Sequence, residues 1–412
     1  MEKSYFMGNR QRLYEAMQPD SVLILFAGSE LRRSADAYYP YYADRNFVYT
    51  TGISQKDSVL MACKGSDGIV REILYLLPKD AMAERWTGRR LDNGEAEAIS
   101  GIADVRNLQV FEGEFEALAA GKRVYLDLFK QSEADMDKAS HTFAKAHSEY
   151  QFENINPTLC ALRLIKQPCE IAALRKAEEI TKAGILAMMR ASKPGMYEYQ
   201  YKAEFDRALG QFSPKEAGFQ SIISAGENNF CIHYDTYIGQ AQDGDMVLND
   251  VGAQWDNLIV DVSRGWPCNG RFTEKQRLLY ECALKTSDYL FCVIRPGMAM
   301  ADVDRTIRAY NARLLVEASV MESVDQVGTY MWHGGAHHIG YDVHDAVLTP
   351  ETLAPGMVFC VDVGIYHEEW GIGFRLEDNC LVTEDGCENL SAGIPRTIEE
   401  IEAVMAKSVF LC

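Results

Sequence analysis

Two stretches decide how this chain folds: Gly244-Asp245-Met246-Val247-Leu248-Asn249-Asp250-Val251-Gly252 and Gly356-Met357-Val358-Phe359-Cys360-Val361-Asp362-Val363-Gly364. Each places a Gly six residues ahead of an Asp-Val-Gly, with a mostly apolar, strand-like run between. Two helical runs lie upstream of each. The first pair is Glu170 to Ala191 and Tyr197 to Leu209, divided by Lys193-Pro194-Gly195-Met196. The second starts at Thr273, where Thr273-x-x-Gln276 reads as a capping box, and resumes over Ala301 to Ala318 after Arg295-Pro296-Gly297-Met298. Pro and Gly stop the first helix of each pair. The same order occurring twice predicts a duplicated unit of two helices and a β-hairpin.

Within the first hairpin, Met246 to Gly252 and Leu258 to Arg264 read as strands around the turn Gln254-Trp255-Asp256-Asn257. A turn centred between 255 and 256 sets Asp250 opposite Asp261. In the second, a turn centred between Glu369 and Trp370 sets Asp362 opposite Glu377. Like charges facing each other on a sheet are destabilising, and burying them costs more unless they are compensated. Two such pairs in two repeated hairpins suggest cations between them, hard oxygen-preferring ions such as Mn²⁺ or Mg²⁺. Taken singly, either pair reads more readily as the solvated edge of a hairpin; both together, each beside Val, Ile or Phe, favour the cations.

The histidines bear on that choice. Five of the eight fall between 333 and 367, and His333-Gly334-Gly335-Ala336-His337-His338 is followed by Asp342-Val343-His344-Asp345. The glycines favour a loop or strand over a helix. One imidazole would complete a carboxylate-rich site and favour a transition metal over Mg²⁺. Cys360 and Cys231 lie close in sequence to these segments and read as structural thiols, not nucleophiles. The chain has no His-Glu-x-x-His, no Gly-x-Ser-x-Gly and no phosphate loop.

Ahead of residue 158 the texture differs. Ser21 to Ala27, Ser58 to Cys63, Glu72 to Leu77 and Arg123 to Leu128 read as buried strands, with helical patterns near Asp92 to Ser100 and Glu133 to His147. That alternation predicts an α/β domain over residues 1–160, with the duplicated unit forming an α+β domain over 161–412. Length agrees with two or three domains at roughly 150 residues each. Lys and Arg number 41 against 60 Asp and Glu, a net charge of −19 that argues against nucleic acid or an anionic membrane as partner. No apolar stretch is long enough to span a bilayer, the first residues are polar, and eleven scattered cysteines include no Cys-x-x-Cys, so a cytoplasmic, reduced protein is expected.

The ordered set Asp250, Asp261, His337, Asp362, Glu377 resembles the Asp-Asp-His-Glu-Glu ligands of the pita-bread dinuclear metallopeptidases, a family including methionine aminopeptidase, prolidase and aminopeptidase P. The similarity extends to Ser224-Ala225-Gly226-Glu227-Asn228 before His233, to Ala354-Pro355-Gly356-Met357, and to Gly371-Ile372-Gly373-Phe374-Arg375-Leu376-Glu377-Asp378. In the N-terminal part, Arg33-Ser34-Ala35-Asp36, Phe47-Val48-Tyr49-Thr50-Thr51-Gly52 and Trp86-Thr87-Gly88-Arg89-Arg90 look like aminopeptidase P; methionine aminopeptidase lacks such a domain, whereas prolidase has one.

The resemblance implies a pita-bread catalytic domain with a pseudo-twofold repeat behind an α/β domain that assembles subunits and gates substrate. It implies two divalent ions, Mn²⁺ first. Asp250 would chelate one, His337 and residue 362 the other, and Asp261 and Glu377 would bridge both. A water or hydroxide between them would be the nucleophile. His233 and His344 match positions that contact the scissile carbonyl and the substrate around its proline, and His333 matches one beside the site. Arg375 would orient carboxylates and pair with Asp36, and Trp86 would reach a neighbouring subunit in a homodimer or homotetramer. The expected activity is removal of the residue preceding a penultimate proline. The alternatives are a prolidase restricted to Xaa-Pro dipeptides, and a pita-bread binding protein impaired because Asp362 stands where the family has Glu. A metal-independent relative such as creatinase is disfavoured by Asp250, Asp261 and Glu377.

Overall fold

The computed structural model describes residues 1–130, 132–213, 215–345 and 351–407. Contacts divide the chain into two compact units, Met1–Leu162 and the remainder from Arg163. The first unit runs α1 (Lys3–Ala16), β1 (Ser21–Phe26), β2 (Arg32–Ser34), β3 (Ala37–Tyr38), α2 (Arg45–Thr51), β4 (Val59–Lys64), β5 (Val70–Leu76), α3 (Ala81–Thr87), α4 (Asn93–Ser100), β6 (Val105–Asn107), α5 (Phe111–Ala119), β7 (Arg123–Leu126), α6 (Ala139–Ala146) and β8 (Phe152–Asn154). Six strands form a mixed sheet in the order β6-β5-β4-β1-β7-β8. Its central strand β1, Ser-Val-Leu-Ile-Leu-Phe, is nearly all apolar and is buried along its length, as a strand covered on both faces requires. Phe111, Phe115 and Phe143 from the helices close over it.

The single helix expected over Glu133 to His147 is broken. Residues Glu133–Asp137 form a 3₁₀ turn, and Lys138 is extended (φ −60°, ψ 149°) before α6 begins. The Asp135 carboxylate accepts from the Ser132 N–H at 2.8 Å, a capping bond at the start of the turn.

The helix α7 (Asn156–Leu164) spans the division, and the second unit continues with α8 (Pro168–Ala191), α9 (Glu198–Leu209), β9 (Ile222–Ala225), β10 (Met246–Val251), β11 (Gln254–Trp255), β12 (Leu258–Ile259), β13 (Val262–Pro267), α10 (Glu274–Val293), α11 (Met300–Glu317), α12 (Val327–Tyr330), β14 (Val358–His367), β15 (Ile372–Val382), β16 (Cys387–Asn389) and α13 (Ile398–Ala406). The Thr273 capping box opens α10 as expected.

The duplication holds at the level of single bonds. Gly195 and Gly297, in the two Pro-Gly-Met turns, have φ of +83° and +87°, and Gly244 and Gly356 both have +89°, the left-handed region that glycine alone enters freely. Gly195 N–H donates to Ala241 O and Gly297 N–H to Leu353 O; Ala241 N–H returns to Met196 O and Leu353 N–H to Met298 O. Each repeat thus ties its inter-helix turn to the entry of its hairpin in the same way.

One register expectation fails. Asp250 is opposed by Ser263, not by Asp261. The turn is centred between Asp256 and Asn257, both at positive φ (+50° and +66°), a two-residue hairpin turn that moves the pairing by two residues. The shift is even, so Asp261, two residues before Ser263, stays on the Asp250 face. In the second hairpin Asp362 does face Glu377. The two hairpins abut where Gly265 meets Phe374; a Cβ at Gly265 would lie 2.6 Å from Phe374 Cβ. Buried Arg264 crosses this seam, donating to Glu377 O (2.7 Å) and to Asp378 Oδ1 (2.6 Å).

Candidate metal centre

Strand alternation puts Cys360, Asp362, Gly364 and Tyr366 on one face of β14, with Glu377 opposite Asp362 and Arg375 opposite Gly364 on β15. Asp250 enters from β10 and Asp261 from the residue pair between β12 and β13. His337 comes from a loop laid against β14. Asp362 N–H donates to Gly335 O (2.8 Å) and Cys360 N–H to His337 O (2.9 Å). The close approach explains two glycines. A Cβ at Gly335 would lie 2.8 Å from Asp362 O, and one at Gly364 2.4 Å from His333 Nε2. Behind the loop, buried Asp345 accepts from Lys166 Nζ (2.9 Å) and from Arg163.

The ligand atoms of Asp250, Asp261 and Glu377 lie within 4.8 Å of one another, as do those of His337, Cys360 and Glu377. His337 Nε2 stands 3.6 Å from Asp261 Oδ2 and 3.7 Å from Glu377 Oε1. Asp362 is in neither trio; its Oδ2 lies 3.3 Å from His333 Nδ1. His344 stacks on His337 with ring centroids 3.8 Å apart and planes 7° from parallel. His233 is exposed and close enough to His344 to disfavour a charge there.

Electrostatically the cluster is unsettled without a cation. Burial pushes Asp261 and Glu377 well above the usual carboxylate range, reinforced by neighbouring acids, Asp250 foremost for Asp261 and Asp362 for Glu377. Burial also pushes Asp362 up to about 8. Asp250 goes the other way: burial would raise it, but Arg375 foremost, with Asp261 and His337, together hold it below its ordinary value. Burial, then His344, brings His337 down to about 4, so it is neutral and able to ligate. Asp250 Oδ1, Asp261 Oδ1 and Asp362 Oδ1 are buried with no hydrogen-bond partner. Orphaned carboxylate oxygens of this kind are costly. Gathered beside a neutral imidazole, they fit divalent cations.

Arg375 is 2% exposed. It donates to Asp250 Oδ2 (2.9 Å), Tyr366 OH (3.0 Å) and Ile232 O (3.2 Å). Tyr366 OH also meets His333 Nε2 at 2.9 Å and stacks on Trp332. Tyr366 went unnoticed in sequence reasoning, although its place four residues past Asp362 on the same strand face was a usable signal. Cys360, read there as a structural thiol, proves to stand among the ligand atoms. Asp36 is exposed in the β2–β3 turn and Trp86, on α3, is 84% exposed.

The family model for metallopeptidase family M24 matches residues 172–384, and the model for the aminopeptidase P N-terminal domain matches residues 6–125. The chain belongs to metallopeptidase family M24. Among M24 relatives, the Xaa-Pro aminopeptidase of Escherichia coli (strain K12) is 31% identical, with 98% of each chain covered. The solved E. coli aminopeptidase P with the inhibitor Pro-Leu superposes with a TM-score of 0.91 at 30% identity, covering 99% of both chains. A solved Bacillus anthracis chain gives 0.95 at 34% identity over 100% of both. The two-helix-and-hairpin repeat is therefore the M24 pita-bread domain, following an aminopeptidase P-type N-terminal domain in the sequence, and the family is one of metal-dependent peptidases.

Proposed function

We propose that this M24 chain is a metal-dependent Xaa-Pro aminopeptidase, hydrolysing the bond between an N-terminal residue and a penultimate proline. What carries the reading is the set of three orphaned, buried carboxylate oxygens in the cluster to which neutral His337 belongs, in a chain that aligns over 98% of its length with a Xaa-Pro aminopeptidase. Asp250, Asp261, His337, Asp362 and Glu377 would hold two divalent ions, for which the oxygen-rich set suits Mn²⁺. Bound divalent ions supply Lewis-acid chemistry, making water a nucleophile near neutral pH and offsetting charge that develops on the carbonyl oxygen.

The chain's own residues do the rest. Arg375 keeps Asp250 ionised and fixed in place. Asp362 Oδ2 stands 3.3 Å from His333 Nδ1, whose hydrogen bond goes to Gly334 O at 2.9 Å. His344 and exposed His233 are the donors offered to the substrate carbonyl. Proline's tertiary amide carries no N–H and restricts its neighbour, so a dedicated site answers a real chemical need. Exposed Trp86 supports a homodimer or homotetramer assembled through the N-terminal domain, and ten free cysteines among the described residues support a cytoplasmic setting.

Product analysis tests this directly. Metal-stripped protein is reloaded with Mn²⁺ and given Xaa-Pro, Xaa-Pro-Yaa and Met-Ala peptides, and the products are identified by mass spectrometry. The expected product is the free first residue of Xaa-Pro-Yaa. Cleavage of the dipeptide alone would make the chain a prolidase. No cleavage would refute the catalytic reading and leave a binding protein.

A further inference from the structure

We propose that Cys360 supplies a sulfur ligand to the ion held by His337, giving the centre one hard carboxylate position and one softer thiolate-containing position. The proposal rests on the metallopeptidase reading above and assigns within it a ligand that the Asp-Asp-His-Glu-Glu pattern does not contain.

The geometry points there from several sides. Cys360 is two residues before Asp362 on the same face of β14, and the rung on which it sits adjoins the Asp362–Glu377 pair. Its sulfur accepts from the His337 N–H at 3.4 Å, which fixes it beside the side chains of His337 and Glu377. Its Sγ lies within 4.8 Å of ligand atoms of both. Asp261, whose Oδ2 is 3.6 Å from His337 Nε2, adds a buried oxygen with no partner, Oδ1. Asp362, the residue expected to complete the His337 position, is turned to His333 instead and belongs to neither trio.

The other position, Asp250, Asp261 and Glu377, offers oxygen alone. Hard and soft donors sort ions: carboxylates suit Mn²⁺ and Mg²⁺, whereas a thiolate with an imidazole suits Zn²⁺ or Co²⁺. On binding, the S–H bond breaks, the proton passes to solvent, and the sulfur lone pair forms the bond to the ion.

The experiment is a Co²⁺ titration of the chelator-stripped full chain followed by absorption spectroscopy, with Zn²⁺ X-ray absorption fine structure in parallel. The expected result is ligand-field bands in the visible together with a near-ultraviolet thiolate-to-cobalt charge-transfer band, and a Zn–S distance of about 2.3 Å. Cys360→Ser should lose the charge-transfer band and the sulfur shell while keeping ligand-field bands, and its preference for Zn²⁺ over Mn²⁺ should fall by about tenfold or more. Cys231→Ser, altering an exposed thiol, should change neither. Ligand-field bands without charge transfer in the unaltered chain, or charge transfer surviving in Cys360→Ser, would overturn the proposal and leave the metallopeptidase reading standing. No ligand-field bands at all would overturn both. Should neither Cys360→Ser nor Cys360→Ala fold, the spectra of the unaltered chain decide by themselves.

Discussion

Replacing Arg375 by methionine asks whether a single guanidinium keeps the centre charged. Arg375 is buried, and its three bonds go to Asp250, Tyr366 and Ile232. Methionine fills the volume of the stem but removes the charge. Taking one partner from a buried ion pair costs about 3–5 kcal/mol, because the remaining charge has no counterpart. The two other bonds add about 1 kcal/mol each, partly recovered by relaxation. A loss of about 5 kcal/mol in the metal-free protein at pH 8 is therefore expected. The sign with pH follows from Asp250, whose carboxyl Arg375 holds below its ordinary value. In the unaltered chain that ionised group contributes stability above its unfolded pKa, lost only as pH falls through the lower folded value. In Arg375→Met burial is opposed only by Asp261 and His337, and the group rises, so the deficit should grow with pH and shrink toward pH 4. Urea unfolding at several pH values, with the slope held constant, measures this. Adding Asp250→Asn should recover about 2 kcal/mol or more as a coupling energy. A loss under about 1 kcal/mol, or one independent of both pH and Asp250, would refute the argument.

Three further outcomes are expected. Asp261→Ala should abolish binding of at least one ion by calorimetry, and turnover with it, while metal-free stability holds or rises because a buried acid pushed above its usual range is gone; full turnover in a metal-saturated assay of that variant would count against the two-ion centre. Glu178 is raised by burial to about 8 and accepts from Asn379 Nδ2 and Ser391 Oγ; the folded state keeps a proton that the unfolded chain releases as pH rises from its ordinary range toward 8, so Glu178→Gln should stabilise by about 2–3 kcal/mol at pH 8 and by nothing near pH 4, read from urea midpoints. Gly252→Ala should lower the melting temperature severely, since its Cβ would lie 1.6 Å from Val260 O, whereas Gly113→Ala, on an exposed face of α5 with open space around it, should stabilise by about 0.5–1 kcal/mol.

What the sequence made legible is what local chemistry controls. The Pro-Gly stops, the Thr273 cap and the long apolar strands each announce themselves within a few residues, and the repeat was visible because those signals recur in order. The pairing of Asp362 with Glu377 followed from turn symmetry alone. The first hairpin misled because its turn residues, Asp256 and Asn257, both take left-handed conformations, and the choice between adjacent turn centres depends on that backbone geometry. The break at Lys138 was hidden because no Pro or Gly marks it; the backbone there simply turns extended between two helical pieces. Cys360 and Tyr366 were hidden differently. Nothing about either residue type marks it; only the alternation of β14, read outward from Asp362, brings them to the same face.

The matched turns of the two repeats carry a further consequence. Superimposing Gly244 on Gly356 and Asp250 on Asp362 sets Leu248 where Cys360 stands. Leu248 sits in an apolar cluster with Tyr234 and Tyr366, bordered by Phe230 and Trp332. One inherited address thus received opposite occupants, a thiol on one side of the dyad and a greasy wall on the other. At this address the two halves of the cleft differ in chemistry although the repeat makes the positions equivalent.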